Sequence, residues 1–128
     1  AVLQKTGAAG IMIGRAALGR PWLPGAIAQS LAGLRTPLPS LAERFLQMRC
    51  HLTALHDFHG DFMGIRIARK HVGWFLDAIE HDVASSFTEW KRHFNALQDA
   101  EAQQTLLQTL ELRCTDNPSA LRNNELAA

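Results

Sequence analysis

The chain has 128 residues, 47% of them hydrophobic and 20% charged, the balance of an ordinary globular protein and not of a disordered or fibrous one. A chain of this length buries roughly 65–70% of its unfolded surface, so it has no need of a disulfide or metal to fold. The two cysteines, Cys50 and Cys114, lie far apart and form no Cys-x-x-Cys pair, which argues against a zinc ribbon, a redox dithiol and a secreted disulfide framework and makes a reducing cytoplasm the expected compartment. No apolar run approaches the ~18–20 residues of a membrane span, and no signal-peptide layout opens the chain, so no membrane partner is expected. The formal net charge of +1 is an average: residues 1–96 hold eleven Lys/Arg against seven Asp/Glu, whereas residues 97–128 hold two against five. The body is basic and the tail acidic.

The chain opens on Ala1-Val2-Leu3-Gln4-Lys5-Thr6-Gly7, which reads as the closing turn of a helix, so the sequence is expected to be a fragment. Six of the nine glycines fall in residues 1–35, and two of them, Gly10 and Gly14, bound the apolar run Ile11-Met12-Ile13, which predicts a short buried strand. A brief helical turn and a helix over about 24–34 follow, with Trp22 as an anchor at the helix entry. Thr36-Pro37-Leu38-Pro39 is the linker, because two prolines in three residues bar regular helix.

Beyond it the pattern is helical. Ser40 and Glu43 form a capping box, and Leu41, Phe45, Met48, Leu52, Leu55 and Phe58 recur at spacings of three and four, predicting a long amphipathic helix that ends near Gly60. Ile65, Ala68, Val72, Phe75, Leu76 and Ile79 draw a second stripe. A second capping box, Ser86 with Glu89, introduces a third apolar face of Phe87, Trp90, Phe94 and Leu97. Asp99 caps a fourth helix carrying Ala102, Leu106 and Leu110. Short connections predict antiparallel packing in a small bundle. Residues 114–128, with Pro118 and Asn123-Asn124, read as a flexible tail.

Two segments carry candidate chemistry. A buried strand running through Gly14-Arg15 into a helical turn leaves backbone N–H groups facing outward, where an anion such as a phosphate fits, although most glycine-bounded turns of this kind are only turns. In Gly64-Ile65-Arg66-Ile67-Ala68-Arg69-Lys70-His71-Val72-Gly73-Trp74, the residues Arg66, Lys70 and Trp74 follow at i, i+4 and i+8 with Arg69 alongside, and no acid intervenes between Asp61 and Asp77. An uncompensated basic stripe beside an aromatic suits a phosphate backbone with a base nearby; the competing reading is a solvated face. His51, His56 and His59 with Asp57 and Asp61 lack a ligand-set spacing, so no metal is expected, and Cys50 reads as a packing residue near Met48 and Leu52.

With these segments in hand the sequence resembles a known family. Ile11-Met12-Ile13-Gly14-Arg15-Ala16-Ala17-Leu18-Gly19-Arg20-Pro21-Trp22 resembles the flavin-phosphate strand and helix of the tRNA-dihydrouridine synthases. Leu55-His56-Asp57-Phe58, Arg66-Ile67-Ala68-Arg69-Lys70-His71-Val72 and Phe94-Asn95-Ala96 resemble the C-terminal helical domain of the bacterial B subgroup. The resemblance covers about residues 1–112. It implies a mostly α fragment: residues 1–35 as the C-terminal end of an FMN-binding (β/α)₈ TIM barrel (one strand and its helix), residues 36–39 as linker, and residues 40–113 as a helical tRNA-binding domain.

It also implies a chemistry. Such enzymes reduce uridine to 5,6-dihydrouridine in tRNA with FMN and NADPH; hydride passes from the flavin to C6 of the uracil, and a cysteine on a barrel loop protonates C5. Gly14 and Arg15 match the FMN-phosphate contacts, and Arg66, Arg69, Lys70 and His71 match the tRNA-facing segment. The catalytic cysteine has no counterpart here, since neither Cys50 nor Cys114 stands at its place, so no catalytic residue is assigned and the fragment alone is expected to be inactive. Two other readings are a stand-alone helical RNA-binding module and part of another FMN-dependent barrel oxidoreductase. The tRNA position and the oligomeric state are not legible in the residues.

Overall fold

A computed structural model describes residues 2–35, 37–83 and 85–116. Its elements are α1 (Val2–Thr6), a 3₁₀ turn (Arg15–Ala17), α2 (Leu23–Leu31), α3 (Leu41–Val83), α4 (Thr88–Ala96) and α5 (Ala100–Asp116). The chain is mostly α, and no strand forms among the described residues.

The long α3 starts where the capping box places it. The Ser40 amide donates to Glu43 Oε2 at 3.0 Å and the Glu43 amide to Ser40 Oγ at 3.2 Å, which satisfies two otherwise orphaned donors reciprocally. At Gly60 the backbone takes φ +79° and ψ 177°, and this one non-helical residue divides α3 into two arms. The arms fold back on each other. The Phe45 and Phe75 rings meet edge to face at 5.2 Å, and a Cβ on Gly64 would stand 3.0 Å from the His56 Cα, so only a residue without a side chain fits comfortably at this crossing.

The core is built from both arms of α3 (Phe45, Met48, Leu52, Val72, Phe75, Leu76, Ile79) and from Phe87, Phe94, Leu107 and Leu110 of the closing elements. Fully burying each such side chain is worth roughly 1.5–3 kcal/mol. Asp99 caps α5 as expected, its Oδ2 accepting from the Ala102 amide at 3.2 Å. Gln103, fully buried, ties α5 to the hairpin: its Nε2 donates to the Ile65 carbonyl at 3.2 Å and its Oε1 accepts from His56 Nε2 at 2.6 Å. Arg44, also buried, donates from Nε to the Pro39 carbonyl and pairs with Asp82 at 2.5 Å, and its guanidinium lies over the Trp22 ring. The linker and the end of α3 are thereby fixed to one residue. Trp22 does anchor its segment, edge-on to Phe75 at 6.4 Å.

Several expectations are corrected. Ile11-Met12-Ile13 is irregular and Met12 is 94% exposed, because no strand among the described residues lies beside it to pair with its backbone. The helix expected over 24–34 is α2, which stops at Leu31; Gly33, at φ +78°, follows just beyond its end. The Ser86–Glu89 capping box does not form. Phe87 is drawn fully into the core, its amide donates to Glu80 Oε1 at 2.8 Å, and Glu89 pairs with Arg92 instead. Phe58 is 85% exposed, since it sits beside the Gly60 break where no helix covers it. Cys50 is exposed, not packed. Helix α5 runs on to Asp116 and buries Cys114, so the tail reading applies only beyond it, to residues 117–128, which lie outside the described residues.

Candidate nucleic-acid interface

The basic segment occupies the second arm of α3. Ile65, Ala68, Val72 and Phe75 turn into the core, and helical geometry then places Arg66, Lys70 and Trp74 together on an outward strip. With Arg69, Gly73 and Asn95 of α4 they line a cleft of about 780 Å³. A smaller cleft of about 370 Å³ shares Arg66 and Arg69 as a wall and extends to Asp61, Phe62 and Gln98.

The charges here are disposed unlike those elsewhere on the bundle. Arg44, Arg49, Lys91 and Arg92 each have a carboxylate partner, in Asp82, Glu111, Asp77 and Glu89 respectively. Among the described residues, Arg66 and Lys70 form no ion pair; both are exposed, and the Arg66 guanidinium lies 5.5 Å from the centre of the Phe62 ring. Arg69 is half-buried. Its Nη2 donates to the Leu97 carbonyl at 3.1 Å, which stitches the end of α4 to α3, and its buried Nε has no hydrogen-bond partner among the described residues. Two exposed cations without ion-pair partners among the described residues thus stand beside one anchored cation at the cleft wall. Such an arrangement attracts and orients a polyanion.

His71 is not brought into this cleft. One helical step of 100° from Lys70 turns it toward the first arm, where its Nδ1 lies 3.2 Å from His51 Nε2 and its ring meets Trp74 edge to face. Burial lowers the pKa of both histidines, and His51 and His59 lower that of His71 further. His71 and His51 instead line a pocket of about 210 Å³ against Leu18, Gly19 and Met48. The spacing of the sequence missed Phe62 and Asn95; Phe62 was legible as the i−4 neighbour of Arg66, whereas Asn95 reaches the cleft only through the packing of α4.

The Gly14-Arg15 segment is a three-residue 3₁₀ turn in which both residues are exposed, and a Cβ at Gly14 would meet nothing within 4 Å. The turn lies open, so it does not by itself form a cofactor pocket. His56 has its Nε2 committed to Gln103, and among the described residues no three His, Cys, Asp or Glu side chains converge.

A helical hairpin closed by two further helices carries, along its second arm, a cleft whose Arg66 and Lys70 have no ion-pair partner among the described residues. Comparison with known proteins makes the assignment specific. The family model described as "Dihydrouridine synthase (Dus)" matches residues 1–117. The chain is 48% identical over 104 residues to the tRNA-dihydrouridine synthase B of Pseudomonas putida, covering 80% of this chain and 29% of that protein. To the enzyme of the same name from Pseudomonas syringae pv. tomato it is 44% identical over 131 residues (99% and 36%), and to that of Escherichia coli 49% over 105 residues (80% and 31%). The chain belongs to the dihydrouridine synthase family. It spans about a third of the length of the curated relatives it matches.

Proposed function

We propose that this chain is the C-terminal, tRNA-holding portion of a cytoplasmic enzyme that forms 5,6-dihydrouridine in tRNA. The observation that carries the reading is the cleft in which Arg66 and Lys70 stand without carboxylate partners on an anchored Arg69, in a chain whose relatives bear the name tRNA-dihydrouridine synthase B. The cleft residues hold the phosphates and so orient the tRNA; the reduction itself, with FMN and NADPH, belongs to the length of the enzyme that this chain does not span. Gly14 and Arg15 are the part of the phosphate site that falls within the chain, and further walls must close around them. Neither cysteine acts in this reading, since Cys114 is buried with its thiol pushed up to about 12 and Cys50 lies away from the cleft. In this reading residues 1–35 are the end of the barrel portion, residues 36–39 the linker, and the helical portion runs from residue 40 through α5, which ends at Asp116.

The test is tRNA affinity measured across a salt series for the chain and for Arg66→Glu combined with Lys70→Glu. The charge-reversed chain is expected to bind more weakly and with a shallower salt dependence, because fewer counterions are released per complex. Unchanged affinity and slope would remove tRNA from the cleft. The unmodified chain, supplied with FMN, NADPH and tRNA, is expected to form no dihydrouridine.

A further inference from the structure

Cations alone would serve a duplex backbone, yet the strip that carries them also bears two rings, the exposed Phe62 and the half-buried Trp74. Phe62, Arg66, Lys70 and Trp74 recur at i, i+4, i+8 and i+12, so they share one strip of the second arm about 18 Å long. Phe62 is 72% exposed and lines the smaller cleft; Trp74, half-buried, lines the larger; Arg66 belongs to the walls of both. The Arg66 guanidinium lies over the Phe62 ring, yet most of the ring remains in water, which is unfavourable, and phosphate oxygens offer it nothing. The π-face of an unstacked base does, and base–aromatic stacking beside a cationic track is the usual way proteins hold single-stranded nucleic acid. Rings at opposite ends of an 18 Å strip cannot sandwich one base. They must serve different nucleotides.

We propose that this strip binds unpaired, unstacked nucleotides, with bases stacked on Phe62 and on Trp74 and the intervening phosphates against Arg66 and Lys70. The Asn95 amide, at the wall of the larger cleft, offers both a donor and an acceptor to the edge of the base on Trp74. The inference rests on the reading that RNA lies in this cleft. It adds that the RNA is held there as a single strand and not as a duplex.

The experiment titrates the full chain with a short labelled single-stranded RNA and with the blunt duplex of the same strand, at fixed salt, by fluorescence anisotropy. Phe62→Leu and Trp74→Leu are each expected to weaken single-strand binding about fivefold or more, to leave duplex binding unchanged, and to preserve the salt slope; Phe62→Tyr should retain affinity. Arg66→Gln with Lys70→Gln should weaken both RNAs and flatten the slope. If the ring variants weaken both RNAs equally, or neither, stacking is refuted while the cationic cleft stands. If the charge variant binds both RNAs as the parent does, the cleft reading falls and the stacking proposal with it. Circular dichroism checks the helices of each variant, and Phe62 is exposed enough that its replacement tests the proposal even where Trp74→Leu disturbs packing against His71.

Discussion

Replacing Gly19 by alanine perturbs a close approach of the segment before the linker to the backbone of the hairpin. Gly19 has φ +74°, and a Cβ there would lie 2.3 Å from both the carbonyl carbon and oxygen of Trp74 and 2.6 Å from the Phe75 amide nitrogen. All three are backbone atoms of a helix and cannot swing aside. The left-handed conformation costs a non-glycine residue about 1–2 kcal/mol, and overpacking a closed contact typically adds about 1–3 kcal/mol, so the intact docked state loses about 2–5 kcal/mol. Undocking of the segment limits this cost, because the chain can release Trp22 from Phe75 and Arg44 instead of bearing the clash. Gly33→Ala is the control: its φ is +78° but nothing lies within 4 Å, so it carries the conformational cost alone. Urea unfolding followed by circular dichroism and by tryptophan emission separates these cases. Gly19→Ala should lower the midpoint by about 1–3 M, or show red-shifted tryptophan emission with the helices intact, while Gly33→Ala does neither beyond the smaller shift. Equal behaviour of the two variants would show that the approach of Gly19 to Trp74 carries no energetic weight.

Three further outcomes are expected. Gln103→Leu leaves the His56 ring and the Ile65 carbonyl without their buried partner and should cost about 1–3 kcal/mol in urea unfolding; a variant as stable as the parent would discount the bridge between α5 and the hairpin. His51 and His71 have folded pKa values below the ordinary 6.5, so the unfolded chain takes up protons more readily and stability should decline as pH falls through 6.5 toward the lower folded values; thermal melts at stepped pH should show this decline, and His51→Gln with His71→Gln should lessen it. In the native chain a thiol reagent should modify one cysteine quickly, with Cys50→Ser abolishing that reaction and Cys114 reacting only on unfolding, given its burial and a thiol pKa pushed up to about 12.

What the sequence revealed was whatever depends on neighbours along the chain. Ser40 with Glu43 and Asp99 with Ala102 were legible because cap and amide are three residues apart. Ser86 with Glu89 has the same spacing and failed, because a residue of the preceding helix, Glu80, reaches the Phe87 amide and the Phe87 ring goes to the core. The strand at residues 11–13 required partners that only a sheet supplies. Of the candidate RNA-facing residues, Arg66, Arg69 and Lys70 do converge on one cleft, while His71, adjacent in sequence, is turned about 100° toward the first arm and meets His51 there. Gln103 and Cys114 extend the same helical stripe as Leu106, Leu107 and Leu110, so their burial follows the period of α5; the bridge from Gln103 to His56 and the Ile65 carbonyl depends on residues far off in the chain and was not legible.

The fold of α3 at Gly60 uses a single residue where most helical hairpins use a loop. With no slack at the tip, the phase of the second arm is indexed to that of the first. One inserted residue near Gly60 would turn the second arm by about 100°, bringing Gly64, Ile67 and His71 to the places now held by the buried Ile65, Ala68 and Val72. Deletions would have the same effect in the opposite sense. The tip therefore serves as the molecule's reading frame: it tolerates exchange of the exposed Phe58 or His59 far better than any change in residue count.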